Sequence, residues 1–493
     1  MLVDVTAQLD KTNKLLRQLL EAKHHVKSEQ LSPDQLQLFM EELKRSKGDS
    51  KDDEDELPPP ASGQVDAPKN SAPRGRQPLS PHLKRQRIEH DLPETEKHCT
   101  DCRQQLRLLG EESSERYEYI PAQFLVIEDV CKKYACSCTV RTATKPPQPI
   151  AKSLAGPSLL AQVIVGKLAD HLPLYRQAKM FRRFGINLSD QTMNGWMQQT
   201  ADLLVPLYER LKAYVLSSKV VGTDDTQVRV LDQYYPKSSR KGRFWPYTGD
   251  RNHPAVVFDY TPTRERAGPE LFLQTYRGYL QADAYIAYES FFTDPKRGLV
   301  ELACWAHSRR HFHDALENDS ARMGAVLAYI AKLYAVEKTA RQRGVTGEAL
   351  RLLREQGAVP VLAALHQYLL KIRDEVLPKS DAGKAVNYTL NNWAALNRYC
   401  EDGDLAIDNN HTERSLRGIA VGRRNWLFVG SDRGGRKMAI LRSFVGSCEL
   451  AKVDPFAWFQ DVLSRIGETS IQGLDELLPH RWTERQVAAS QAQ

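Results

Sequence analysis

The sequence predicts a multidomain α/β protein whose core is a mixed β-sheet flanked by helices, with helical and linker segments ahead of it. Three observations predict this. The chain has 493 residues, more than one typical domain holds, and 41% of them are hydrophobic, enough for packed cores. After Ser218 helical periodicity gives way to short β-like runs separated by polar turns. Those runs then alternate with helix candidates, the pattern of a sheet covered by helices.

Residues 1–46 read as helix, with Leu9, Leu16, Leu19 and Leu20, then Leu36, Phe39, Met40 and Leu43, at helical spacing. An amphipathic hairpin and a self-association segment both fit. Residues 47–95 form a linker: KDDEDELPPPASG is acidic and proline-rich and cannot bury a core. Its second half is basic, and PRGRQP, with Arg74 and Arg76, has the form of an AT-hook that lies in a narrow minor groove. A plain solvated linker is the competing reading. Eight cysteines occur in the chain, and five lie between Cys99 and Cys138. The start of the chain shows no secretory leader, so metal ligation is expected rather than disulfides. Residues 96–145 are read as a zinc ribbon, in which Cys99, Cys102, Cys136 and Cys138 flank a strand-like stretch from Glu118 to Val130 and surround a structural Zn2+. Free buried cysteines are the alternative.

Residues 150–215 are helical and contain a helix-turn-helix pattern. Leu174 to Phe184 makes one helix, Gly185 the turn, and Ser189 caps a second that presents Gln191 and Asn194 outward, suited to base edges. An ordinary helical hairpin with Trp196 in its core is the alternative. Residues 218–314 supply the strands of the core, 315–400 read as a helical insertion, 401–470 return to the core with C-terminal helices, and 471–493 form a tail.

Asp224 and Asp283 follow apolar strand residues, where carboxylates are costly unless they are paired or hold a cation. Side by side, they would seat hard divalent cations. Asp225 is expected on the opposite face, and Asp259 is a similar competitor. In DNNHTERSLR, Asn409 or Asn410 is expected to cap a helix and leave Glu413 in its first turns, as a third carboxylate or as the partner of Arg417 in a surface ion pair. Arg423, Arg424, Trp426 and Arg433 form a basic and aromatic patch suited to a phosphate backbone or an unstacked base, though a buried Trp426 fits as well. In CWAH, Cys304 reads as core, whereas His307, Arg309 and Arg310 are expected to face DNA.

The strings TDDTQV, LQADAYIAY, ACWAHSRRHF, IDNNHTERSLRGIAVGRRNWLFVGSDRGG and VDPFAWFQDVL, in this order, resemble transposases of the insertion-sequence sixty-six family, and HCTDC and YACSC resemble its zinc-finger part. The resemblance implies a ribonuclease-H-like core with an Asp-Asp-Glu triad, carried here by Asp224, Asp283 and Glu413. The family's usual Asp-Glu-Thr is Asp-Asp-Thr here, and its second Cys-x-x-Cys is Cys136-Ser-Cys138. It further implies two-metal phosphoryl transfer with Mg2+ (or Mn2+) on the triad and a structural Zn2+ on Cys99, Cys102, Cys136 and Cys138. The partners implied are double-stranded DNA, as terminal inverted repeats and target; a second copy of the chain, at least a dimer on paired ends; and small accessory proteins of the same element. Arg74, Arg76, Gln191, Asn194, Arg309, Arg417, Arg423, Arg424 and Trp426 are the expected DNA contacts. The net charge of +7 permits such a partner. No apolar run reaches the roughly 18 residues of a membrane span and no secretory leader is seen, so a cytoplasmic protein is expected, and the resemblance implies a bacterial, nucleoid-associated one. The competing function is a DNA-binding repressor that has lost catalysis.

Overall fold

The computed structural model describes residues 123–135, 140–144, 147–235, 238–283 and 286–482. Arg74, Arg76, Cys99, Cys102, Cys136 and Cys138 lie outside the described residues, as do the N-terminal helical segment and most of the linker. Residues 123–129, expected to be strand, have neither helix nor strand, and Leu125, Val126 and Ile127 are exposed. The ladder comes later, where β1 (Lys133–Ala135) pairs antiparallel with β2 (Val140–Thr142).

Four helices follow. α1 (Pro157–Leu168) starts on a proline, whose missing N–H costs nothing in a first turn. α2 (Leu174–Arg182) ends before Gly185, whose positive φ of 78° makes the turn. α3 (Asp190–Leu203) is capped by Ser189, which accepts the Thr192 N–H at 3.0 Å. α4 (Val205–Leu216) leads into the sheet. The helix-turn-helix pattern thus falls on α2 and α3.

The sheet has six strands. β3 (Val220–Thr223), β4 (Thr226–Leu231), β5 (Ser239–Thr248) and β6 (Val256–Thr261) are joined antiparallel through β5. After the short α5 (Ala267–Phe272), β7 (Gly278–Gln281) pairs parallel with β3. α6 (Ile286–Thr293) then leads to β8 (Leu299–Leu302), parallel to β7. β3 and β4 lie on the same edge of β5 in one continuous register, Thr223 opposite Tyr247 and Thr226 opposite Phe244. The lapse between them is Asp224–Asp225. Continuing the register sets Asp224 opposite Pro246, which has no N–H to offer.

Beyond β8, α7 (Trp305–Asp314), α8 (Ser320–Arg343), α9 (Gly347–Gly357), α10 (Val359–Arg373), α11 (Asp381–Asn391) and α12 (Trp393–Asn397) pack as a helical body. Trp305, Phe312, Leu327, Ile330, Leu365 and Leu396 share its core. One charge pair is buried in it: Arg354, 2% exposed, donates to Glu337 at 2.7 Å and to the carbonyls of Tyr399 and Asp402.

The chain then returns to the sheet as α13 (Asn410–Trp426), α14 (Asp432–Ala451) and α15 (Pro455–Arg465). α14 lies along β6 and satisfies its outer edge: the N–H groups of Val256 and Phe258 donate to Ser447 and Ser443 Oγ at 3.0 and 2.8 Å, two serines one turn apart. The outer edge of β4 is met by Val429, which exchanges hydrogen bonds with Arg229 and Leu231. At β8, the Ala303 N–H donates to Ala395 O, and Arg398 donates to Glu301 O. No helix among the described residues is long and apolar enough to cross a membrane.

Candidate active site

The site forms where β3 and β7 run side by side. Gly222 is level with Gln281, so two further residues on each strand bring Asp224 level with Asp283. Both acids lie just past the hydrogen-bonded strand ends rather than inside the strands. The third acid is delivered by a loop fastened along the sheet, from the start of β3 to the end where the two acids lie. Lys219 at the foot of β3 pairs with Asp402 at 2.6 Å, Gln281 donates to Ala406 O at 2.9 Å, and Trp305 N–H donates to Ile407 O at 3.1 Å.

Asn409 completes the fastening. It is 1% exposed, its N–H donates to Cys304 Sγ at 3.2 Å, and its side-chain amide donates to Thr223 O at 2.8 Å. The expected side-chain cap is therefore absent: Asn409 occupies the capping position but spends its amide on the strand residue before Asp224. Asn410 turns back onto Asp408 at 2.7 Å. Thr412 bonds Thr248 at 2.6 Å, and the two hydroxyls sit on Gly222, where a Cβ would collide with both and with Asn409 Oδ1. A glycine is required there because helix and strand meet without room for a side chain. Glu413 follows directly, in the first turn of α13.

The Asp224 carboxylate has one hydrogen bond among the described residues, from the Asp225 N–H at 2.7 Å. Burial pushes its carboxyl up to about 7; the Asp225 N–H opposes that rise, and the charges of Asp283 and Glu413 add to it. Burial also raises Asp283, opposed by His307 and Arg264. Asp225 differs: its side chain is 4% exposed and neutralised by Arg243 at 2.6 Å and Arg264 at 2.7 Å, the latter also 4.0 Å from Asp283. Asp259 lies on β6, beyond β5, under the charges of Lys212 and Arg436. Glu413 does not pair with Arg417. Its oxygens face α7, 3.6 Å from His307 Nε2 and 3.8 Å from Arg310.

The structure thus sets Asp224 level with Asp283 and leaves Glu413 within electrostatic reach of Asp224. It distributes the other candidates differently. Gln191 and Asn194 are exposed on α3 while Met193 and Trp196 are buried beneath them. Arg417 and Arg424 are exposed. Arg423 instead clamps α13 to β4, donating to Thr226 Oγ1 and Gln227 O, both at 2.8 Å. Trp426 is half-buried, its indole against Gly422. Arg309 lies two positions from His307, and its charge bears on the Tyr334 phenol beside Asp408. Sequence reasoning missed Arg243, Arg264 and Gly222. The adjacent pair Asp224-Asp225 was the available signal, since only one of two neighbouring buried acids can go without a cationic partner.

Comparison with known proteins supplies the class and then the family. A model described as Transposase IS66 family matches residues 152–437, and one for the IS66 C-terminal element matches 443–480. The zinc-finger binding domain of transposase IS66 matches 96–139, and a model described as Transposase C of IS166 homeodomain matches 13–88. The uncharacterized proteins y4jD and y4hP of Sinorhizobium fredii (strain NBRC 101917 / NGR234) are 32% and 30% identical. The y4jD match covers 99% of this chain and 96% of the relative, the y4hP match 92% and 85%. A solved structure, the Drosophila P element transposase strand transfer complex, aligns with 59% of this chain and 92% of its own at 10% identity and a TM-score of 0.32, too distant to argue from. The class is that of transposases. The chain belongs to the IS66 transposase family.

Proposed function

We propose that this chain is a DDE-type DNA transposase that binds the ends of an insertion sequence, cuts there and joins the freed 3′ ends to target DNA. Asp224, Asp283 and Glu413 are its catalytic acids. The observation that carries the reading is the placement of Asp224 level with Asp283 at one end of paired parallel strands, within electrostatic reach of Glu413, with Asp224 left without a cation among the described residues while neighbouring Asp225 receives two arginines. Buried carboxylates of this kind suit hard divalent cations, which take oxygen donors. The donor set fits Mg2+ or Mn2+. When bound, such cations would supply Lewis-acid activation of the attacking oxygen and stabilisation of the leaving one.

The rest is the protein's work. Asn409, Thr412 and Thr248 fix the height of Glu413 against the strand end. Arg264 holds Asp225 and biases Asp283 toward its charged form. The strand order, β3 and β4 in one register, then β5 antiparallel to both and β6 antiparallel to β5, then parallel β7 and β8, with acids after β3 and β7, supports a ribonuclease-H-like core. Gln191 and Asn194 on the exposed face of α3, with Arg417 and Arg424, are assigned to DNA, and Cys99, Cys102, Cys136 and Cys138 to the structural Zn2+. Pairing two ends calls for at least a dimer.

The test is Asp224→Asn. Metal-dependent cleavage of element-end DNA should fall by about a thousandfold or more, the scale of losing a unit that acts together, while end binding stays within a few-fold. Cleavage at the wild-type level removes Asp224 from the site. Wild-type protein that binds ends but never cuts them would make the chain a repressor.

A further inference from the structure

We propose that Cys304, His307 and Glu413 form a second cation site, one for a borderline-soft divalent ion such as Zn2+ or Co2+, sharing Glu413 with the acidic site. A sulfur, a ring nitrogen and a carboxylate oxygen from these residues all lie within 4.8 Å of one another. Zinc bonds of about 2.0–2.3 Å in a tetrahedron place ligand atoms about 3.3–3.7 Å apart. The His307 Nε2 to Glu413 Oε1 separation is 3.6 Å. The remaining closure is within about an ångström, the reach of side-chain torsions alone.

Two atoms of this cluster are buried without hydrogen-bond partners among the described residues, His307 Nδ1 and Glu413 Oε1. Buried polar atoms are seldom left unmatched, and a cation would answer at least one of them. The backbone is prepared on the sulfur side. Cys304 precedes the first residue of α7; its Sγ accepts the Asn409 N–H at 3.2 Å, and the N–H groups of Ala306 and His307 also favour its charged form. Such donors at a helix start favour a thiolate. In the metal-free chain burial opposes them and holds the thiol neutral, its pKa pushed up to about 12. Binding would release that proton to solvent and replace it with the cation. One thiolate, one carboxylate and one neutral imidazole neutralise a divalent ion, which suits a pocket where Cys304 is 0% exposed. The fourth position would be left to water or a substrate oxygen. Sequence alone offered only Cys304 and His307, too few for a metal, because Glu413 is more than a hundred residues away.

The site has a consequence for the acidic one, and that part rests on the function proposed above: an ion held between α7 and α13 commits Glu413 to α7. The two readings are separable because only this site contains sulfur. Full-length protein with its zinc finger already filled would be titrated with Co2+ and followed in the near ultraviolet, where thiolate-to-cobalt charge transfer absorbs. We expect one added equivalent to produce that band, Cys304→Ser and His307→Gln each to abolish it or weaken Co2+ binding at least about tenfold, and Asp224→Asn to leave it unchanged. Cys304→Ser keeps a helix-start acceptor, and His307→Gln keeps the thiol, so loss in both with unchanged thermal midpoints marks ligation rather than misfolding. A wild-type difference spectrum with no band, or a band that survives both substitutions, overturns the proposal without touching the acidic site. Loss of Mn2+-dependent cleavage in Asp224→Asn with an intact cobalt band supports both sites.

Discussion

Gly222→Ala tests whether the seating of α13 on β3 positions the third acid. The new Cβ would stand 2.7 Å from Thr248 Oγ1 and 2.8 Å from Asn409 Oδ1, and closer still to Thr412 Oγ1. Ordinary contact begins at 3.4 Å, so the surroundings must open by at least about 0.6 Å on two sides and by more on the third. Thr248 sits in the ladder of β5 and is held by its strand partners. The yielding element is therefore the start of α13, with Asn409, Thr412 and, one residue on, Glu413. Overpacking of this kind costs about 1–3 kcal/mol of stability. A catalytic group displaced by about an ångström loses on the order of a hundredfold in rate. Thermal unfolding and Mn2+-dependent cleavage of element-end DNA would be measured together. The expected outcome is a modest loss of stability with a large loss of cleavage, partly restored by adding Thr412→Ala, which removes the closest atom. Wild-type stability and cleavage in Gly222→Ala alone would refute the reasoning.

Other outcomes follow from the packing. Arg354→Met leaves Glu337 buried without its partner and should cost about 3–5 kcal/mol in urea unfolding, while Arg354→Met with Glu337→Met together should cost much less. Ser443→Ala strands the Phe258 N–H on the edge of β6; a loss of about 1–3 kcal/mol is expected, and Ser443→Thr should recover most of it. Lys167 is desolvated, its pKa lowered to about 8 from 10.5. Between those values the unfolded chain binds the extra proton, so this group makes stability rise with pH, its penalty being complete below about 8. Lys167→Met should accordingly stabilise the protein at pH 7, by at most about 3 kcal/mol, with the gain shrinking toward pH 10 in matched denaturant titrations. Arg423→Ala should loosen α13 from β4 and lower the thermal midpoint, whereas Arg424→Ala should leave it unchanged and weaken binding to element ends.

Local signals carried much of this architecture. Ser189 and Gly185 announced the turn between α2 and α3 because capping and positive φ are properties of single residues. The change of texture after Ser218 marked the strands for the same reason. What escaped was pairing. Nothing in GYLQ says that it lies beside VVGT rather than beside β6, and without that adjacency Asp224 and Asp283 are two acids among 62 acidic residues. The resemblance singled them out; their own spacing did not. Asn409 shows the limit differently. A helix-start asparagine reads as a cap by local rules, but a buried carbonyl on Thr223 claims its amide instead, a competition visible only once the strand is in place. Arg264 stands 39 residues after Asp225, so no short-range pattern reveals that the two neutralise each other.

The flanks of the sheet bear on how copies could meet. Serines of α14 close one flank, Val429 another, and Ala395 with Arg398 the far one. Strand donation from a neighbouring molecule therefore finds its hydrogen-bonding positions already taken at these points. If two molecules come together on paired DNA ends, they must do so through side-chain surfaces or through segments outside this body. Such an assembly can form and part without unzipping the platform that carries the acids.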